Sequence, residues 1–163
     1  SHITHWCAAR QWAEKVSSAR PYQTIDELQR TAEQMWQDAD EAQCLEAFAA
    51  HPVIGDVELL RSKYAPQANV EQGQVLQAPD SVIKALATQN LAYSARHGFT
   101  FIVFATGKSA AEMLELLNQR IGNTRGEEIN NAKLEQLKIM QQRLQQTFDS
   151  SANTNTNPEH HAH

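Results

Sequence analysis

Apolar residues recur every three to four positions along most of the chain, the period of helices buried on one face. Trp6, Ala9, Trp12, Ala13 and Val16 share such a face, which predicts an amphipathic helix over residues 6–19 closed by Arg20-Pro21. Thr24 or Asp26 can cap the next helix, through Leu28, Ala32, Met35 and Trp36 to a polar break at 38–40. A third carries Ala42, Leu45, Phe48 and Ala49 and should end at His51, because Pro52 disfavours the α conformation for the residue before it. Gly55 then supplies backbone freedom for a turn. Val57, Leu59, Leu60 and Tyr64 predict a short helix, and Pro66, Gly73 and Pro79 punctuate an irregular lining segment after it.

In the second half, Asp80 or Ser81 caps a helix whose Val82, Ile83, Leu86, Ala87, Asn90 and Tyr93 share one face, and His97-Gly98 ends it. Residues 99–104, Phe-Thr-Phe-Ile-Val-Phe, have strand propensity. With no second strand to pair with, they read as a buried extended connector near 99–107. Ser109-Ala110-Ala111-Glu112 is a capping box that opens a helix through Met113, Leu114, Leu117 and Ile121, stopping at Gly122-Asn123. Thr124 to Glu127 repeats that pattern and starts a long helix to about Phe148. The expected fold is all-α: a single compact domain over residues 1–148, of about six to nine helices by periodicity, followed by a disordered polar tail at 149–163.

A chain of 163 residues is long enough to bury one proper core and too short for two substantial ones. Its 41% hydrophobic and 20% charged residues are ordinary for a soluble protein. The net charge of -5 comes without a basic stripe, which argues against nucleic acid or an anionic membrane as partner. A small anionic substrate held by one or two local cations remains compatible. Only Cys7 and Cys44 are present, which disfavours a disulfide scaffold and favours a reducing compartment. No apolar run reaches bilayer length. Ser1 to Trp6 does not read as a signal peptide, nor His161-Ala162-His163 as a peroxisomal tripeptide, so a cytoplasmic location is expected.

Several motifs fall away on their chemistry. Gly107-Lys108-Ser109 imitates the end of a phosphate-binding loop, but Ile102 stands where that loop needs glycine. His160, His161 and His163 lie in the tail, where a metal site would lack preorganised ligands, and His2 and His5 meet the same objection. There is no His-Glu-x-x-His, paired-cysteine spacing or Gly-x-Ser-x-Gly elbow. His51 stays open between a cap for terminal carbonyls and a pocket imidazole. Glu71 taken alone reads as an exposed loop carboxylate. Arg143 projects into the apolar stripe of the last helix, among Ile129, Ala132, Ile139 and Met140, where it either snorkels or binds a carboxylate.

Taken in order, Ala50-His51-Pro52-Val53-Ile54-Gly55-Asp56, Glu71-Gln72, Asn90-Leu91-Ala92-Tyr93, residues 98–109 and Arg143-Leu144 resemble the OHCU decarboxylase family. OHCU is 2-oxo-4-hydroxy-4-carboxy-5-ureidoimidazoline. Arg20-Pro21-Tyr22 and Arg120-Ile121-Gly122-Asn123 extend the resemblance. It implies an all-helical enzyme of urate degradation that works without a cofactor or metal, takes OHCU as its small-molecule substrate, releases carbon dioxide and yields (S)-allantoin, commonly as a homodimer. By position, His51 matches the family's catalytic histidine, Glu71 its active-site glutamate and Arg143 its substrate-binding arginine. Pro52 matches the proline beside the histidine, and Phe101, Ile102, Val103 and Ala105 belong to a pocket wall whose backbone groups hold the ureido and ring amides. Ala68 departs from the pattern, standing where the family usually has serine.

The implied chemistry suits these residue types. Loss of carbon dioxide leaves electron density on carbon, which is delocalised into the ring and then protonated on one face, a transfer an imidazole can serve. Val53, Ile54 and the wall would exclude water and favour loss of the carboxylate's charge. Two other classes predict different outcomes: a hydrolase of a related ureide or cyclic amide, and a helical interaction module docking through Trp6, Trp12 and Trp36.

Overall fold

Capping chemistry sets most of the helix boundaries. The computed structural model describes residues 2–20, 24–64 and 79–155. Among them are eight helices and no strand: α1 (His2–Trp6), α2 (Arg10–Ser18), α3 (Ile25–Gln37), α4 (Glu41–Ala49), α5 (Val57–Lys63), α6 (Asp80–His97), α7 (Ala110–Ile121) and α8 (Arg125–Asn155). The all-α expectation holds. Thr24 caps α3 by accepting from the Glu27 N–H at 3.1 Å, and Ser109 caps α7 by accepting from Glu112 at 3.2 Å. At the start of α8 the capping box is complete: Thr124 Oγ1 accepts from the Glu127 N–H, and the Glu127 carboxylate accepts from the Thr124 N–H, both at 3.2 Å.

Three boundaries differ from expectation. The first helix is two, because the chain is extended at Ala9 between α1 and α2. The Glu46 carboxylate on α4 takes the freed backbone N–H of Arg10, and its other oxygen meets Arg10 Nε at 3.3 Å. That backbone bond is the largest influence on Glu46 and draws its carboxyl below the ordinary 4.5. Neither Asp80 nor Ser81 caps α6; the cap is Pro79, without a side-chain bond. Asp80 is instead the first helical residue, and its carboxylate accepts from Arg61 Nη2 at 3.1 Å. Finally, α8 continues past Phe148 to Asn155. Pro21, expected to close the first helix, and the tail from 156 onward lie outside the described residues.

The chain divides into two compact units, Ser1–Ala50 with Lys133–His163, and His51–Ala132. In the first, α2 packs on α1, α3 and α4. All three tryptophans are core here: Trp6, Trp12 and Trp36 are buried. Each indole N–H is satisfied, by Thr147 Oγ1 at 3.0 Å, the Ala32 carbonyl at 2.9 Å and the Lys133 carbonyl at 2.9 Å. The interaction module that was to dock through those faces therefore has no such surface. Cys7 and Cys44 are buried free thiols, and burial pushes Cys7 up to about 11, which makes it a poor nucleophile at neutral pH.

In the second unit α6 packs on α5 and α7, around Leu60, Ile83, Leu86, Tyr93, Met113 and Leu117. Along α8 the fully buried row is spaced by four: Glu128, Ala132, Gln136, Met140 and Leu144. Two of its five members, Glu128 and Gln136, are polar.

Candidate active site

His51 opens the second unit. Helix α4 ends at Ala49 and Ala50 closes it, so His51 stands at a half-buried bend just beyond the helix, as its Pro52 neighbour requires. The loop it begins is pinned through carbonyls. Pro52 accepts from Thr100 Oγ1 at 3.4 Å, and Ile54 accepts from Asn90 Nδ2 at 2.9 Å. Pro52 is itself exposed, and so is Val53 at 41%, because the anchors on either side of Val53 are backbone atoms. Water exclusion by Val53 is thus not what the loop provides. Gly55 is not a positive-φ residue either. Its role is close approach, since a Cβ there would lie 2.6 Å from Leu91 Cδ2.

The Thr100 bond sets the histidine loop beside the connector. Residues 99–105 form neither helix nor strand, and the segment is bracketed by Gly98 and Gly107, both with positive φ, at 82° and 78°. Phe99, Thr100 and Ile102 are buried, and Phe101, Val103, Phe104 and Ala105 are half-buried. The expected buried connector is therefore present, held by side chains in place of a strand ladder. Lys108 turns back on it, donating to the Phe104 carbonyl at 2.7 Å with its ammonium 5.6 Å from the Phe104 ring. That engagement further separates Gly107-Lys108-Ser109 from a phosphate-binding loop.

Behind the connector lies a buried ionic hub that sequence reasoning missed. Glu128 is 0% exposed, and its two oxygens receive four donors. Oε1 accepts from Tyr93 Oη at 2.5 Å and Arg120 Nε at 2.8 Å; Oε2 accepts from Asn123 Nδ2 at 2.9 Å and Asn131 Nδ2 at 2.7 Å. A carboxylate has about four lone-pair sites, so this one is saturated. Burial alone would raise its pKa, but the bonds from Tyr93, Asn123 and Asn131 and the Arg120 charge together hold it below 4.5. Burial and the bond to Glu128 push the Tyr93 phenol up. The signal in the sequence was a glutamate in register with Ala132, Met140 and Leu144.

Arg143 belongs to the first unit. It is half-buried on α8, and its Nη1 donates to the His5 carbonyl at 3.3 Å. Glu71, Gln72 and Ala68 lie outside the described residues. The structure thus brings the His51-Pro52 loop and the connector together in one unit and describes Arg143 separately. Among the described residues no group of three or more His, Cys, Asp or Glu is placed to hold a metal ion, and no helix is long and apolar enough to cross a membrane.

Comparison with known proteins supplies the class. The family model for OHCU decarboxylase matches residues 1–145. The chain is 33% identical over 150 residues to the uric acid degradation bifunctional protein TTL of Arabidopsis thaliana, covering 90% of this chain and 46% of that protein. It therefore spans about half the length of that relative. It is 28% identical over 129 residues to the 2-oxo-4-hydroxy-4-carboxy-5-ureidoimidazoline decarboxylase of Halalkalicoccus jeotgali, covering 78% of this chain and 68% of that one. A crystal structure of OHCU decarboxylase in the presence of (S)-allantoin superposes with a TM-score of 0.72 and 31% identity, covering 90% of this chain and 96% of its own. An (S)-allantoin synthase structure shares the fold, with a TM-score of 0.66 at 21% identity over 89% of this chain and 48% of its own. These matches agree with the all-α fold of the described residues. The chain belongs to the OHCU decarboxylase family.

Proposed function

We infer that this chain removes carbon dioxide from OHCU and delivers (S)-allantoin, with His51 as the general acid/base. The observation that carries the reading is the family match over residues 1–145, joined to a structural neighbour crystallised with (S)-allantoin. The post-helical setting of His51 supports its role, since the residue opens a loop fastened to the connector through Thr100. His51 acts on the 4-hydroxyl or the nascent carbanion. Glu71 accepts from the substrate's N–H groups and orients it. Pro52 and the backbone of Phe101, Ile102, Val103 and Ala105 line the pocket, and Arg143 anchors a polar or anionic substrate group. The enzyme acts as a cytoplasmic homodimer without a cofactor.

The test is to supply freshly generated OHCU and follow (S)-allantoin by circular dichroism. The expected result is formation faster than the spontaneous decay and unaltered by excess chelator. No acceleration overturns the assignment, activity lost to chelator overturns its cofactor-free part, and hydrolysis products in place of carbon dioxide would favour the hydrolase. Arg143→Lys is expected to raise KM about tenfold, the factor equivalent to roughly 1.4 kcal/mol, because an ammonium cannot reproduce a forked contact. An unchanged KM removes Arg143 from the substrate site.

A further inference from the structure

Arg120 reaches the connector and the Glu128 hub at the same time. Its Nε donates to Glu128 Oε1 at 2.8 Å while Nη1 donates to the Ile102 carbonyl at 2.7 Å. Its guanidinium carbon lies 4.6 Å from the centroid of the Phe101 ring, which also packs edge-on against Tyr93 at 5.2 Å. Tyr93 in turn donates to the same Glu128 oxygen. One planar cation thereby fixes a backbone carbonyl and the neighbouring aromatic side chain of a segment that has no ladder of its own. As a stabilising device this is a poor bargain, since a buried ion pair is often matched by apolar residues of similar volume. Arg120 Nη2 is moreover buried with no hydrogen-bond partner among the described residues.

We propose that Arg120 is a positioning residue for the pocket wall, setting the backbone of Phe101 and Ile102 at the height and register that the substrate meets. The proposal rests on reading 101–105 as that wall. Arg120 touches no reacting atom; it acts through Ile102 and Phe101. The side chain has to be arginine, because lysine has one nitrogen and cannot hold Glu128 and Ile102 in fixed geometry while stacking on a ring. Glu128 is the fixed point and Arg120 the strut.

The experiment uses the full chain and Arg120→Lys. With OHCU as substrate, kcat/KM is expected to fall 10- to 100-fold per folded molecule, the scale of a small misplacement of a positioned group. In the same variant, backbone amide NMR shifts are expected to move most at 100–104 while helical circular dichroism stays at the wild-type value. Unchanged kinetic constants, or amide changes that leave 100–104 in place, overturn the proposal. If the wild-type protein makes no allantoin, the functional reading fails and the amide shifts alone decide the strut. If the variant does not fold, the wild-type protein decides. On titration with (S)-allantoin, the Arg120 Nε–H resonance should move with the amides of 100–104. Wall amides that shift while Arg120 stays still, or no shift at either place, overturn the proposal.

Discussion

Replacing His51 with alanine is expected to slow (S)-allantoin formation by about 10²- to 10⁴-fold, the range that a positioned general acid or base contributes. The fold should survive, since His51 lies beyond the last turn of α4 at a half-buried bend and the loop is held by the Pro52 and Ile54 carbonyls, which the substitution leaves intact. Thermal unfolding should therefore move little while the rate collapses. His51→Asn separates the two roles left open by the sequence. Asparagine can still bond terminal carbonyls, but it cannot carry a proton near neutral pH, so a capping role would be rescued and a catalytic one would not. The measurement is the dichroism of the product against the spontaneous decay of OHCU. A wild-type rate in His51→Ala would remove the residue from the chemistry.

His51 was legible in the sequence because every cause of its placement is local: the periodicity of α4, and Pro52 next to it. The same holds for Thr24, Ser109 and Thr124, whose caps depend on residues three positions away. The connector was legible from its strand-like composition and the absence of a partner strand. The break between α1 and α2 was not, since the group that takes the freed Arg10 N–H is Glu46, 36 residues distant. Gly55 shows a related limit: a side chain there would meet Leu91 on α6, a neighbour that local sequence reasoning does not see. Arg143 was placed on the apolar side of α8 and is half-buried there, at the flank of the buried row. The Glu128 hub escaped because its four donors come from α6, α7, the turn after α7 and α8 itself.

That hub carries the largest stability effect expected in the molecule. Glu128→Ala removes one carboxylate and strands Tyr93, Arg120, Asn123 and Asn131, with Arg120 left as an unpaired charge that is only 12% exposed. Breaking a buried pair from one side costs about 3–5 kcal/mol. At about 2–4 °C per kcal/mol for a chain of this size, the midpoint should fall by roughly 6–20 °C. Glu128→Gln should also destabilise, because its amide brings two donors of its own to a point where four already converge. The two variants differ from the wild type in acid as well. The folded-state pKa of Glu128 lies below 4.5, so its contribution is complete above that pH and disappears as pH falls through the lower, folded value. Wild-type stability should therefore decline on acidification by a component that both variants lack, and the three midpoints should converge toward low pH. Differential scanning calorimetry from neutral pH downward reads both effects. A Glu128→Ala midpoint within about 2 °C of wild type at neutral pH, less than the change expected from 1 kcal/mol, would mean that the four donors find other partners and that the carboxylate is not what ties α6, α7 and α8 together.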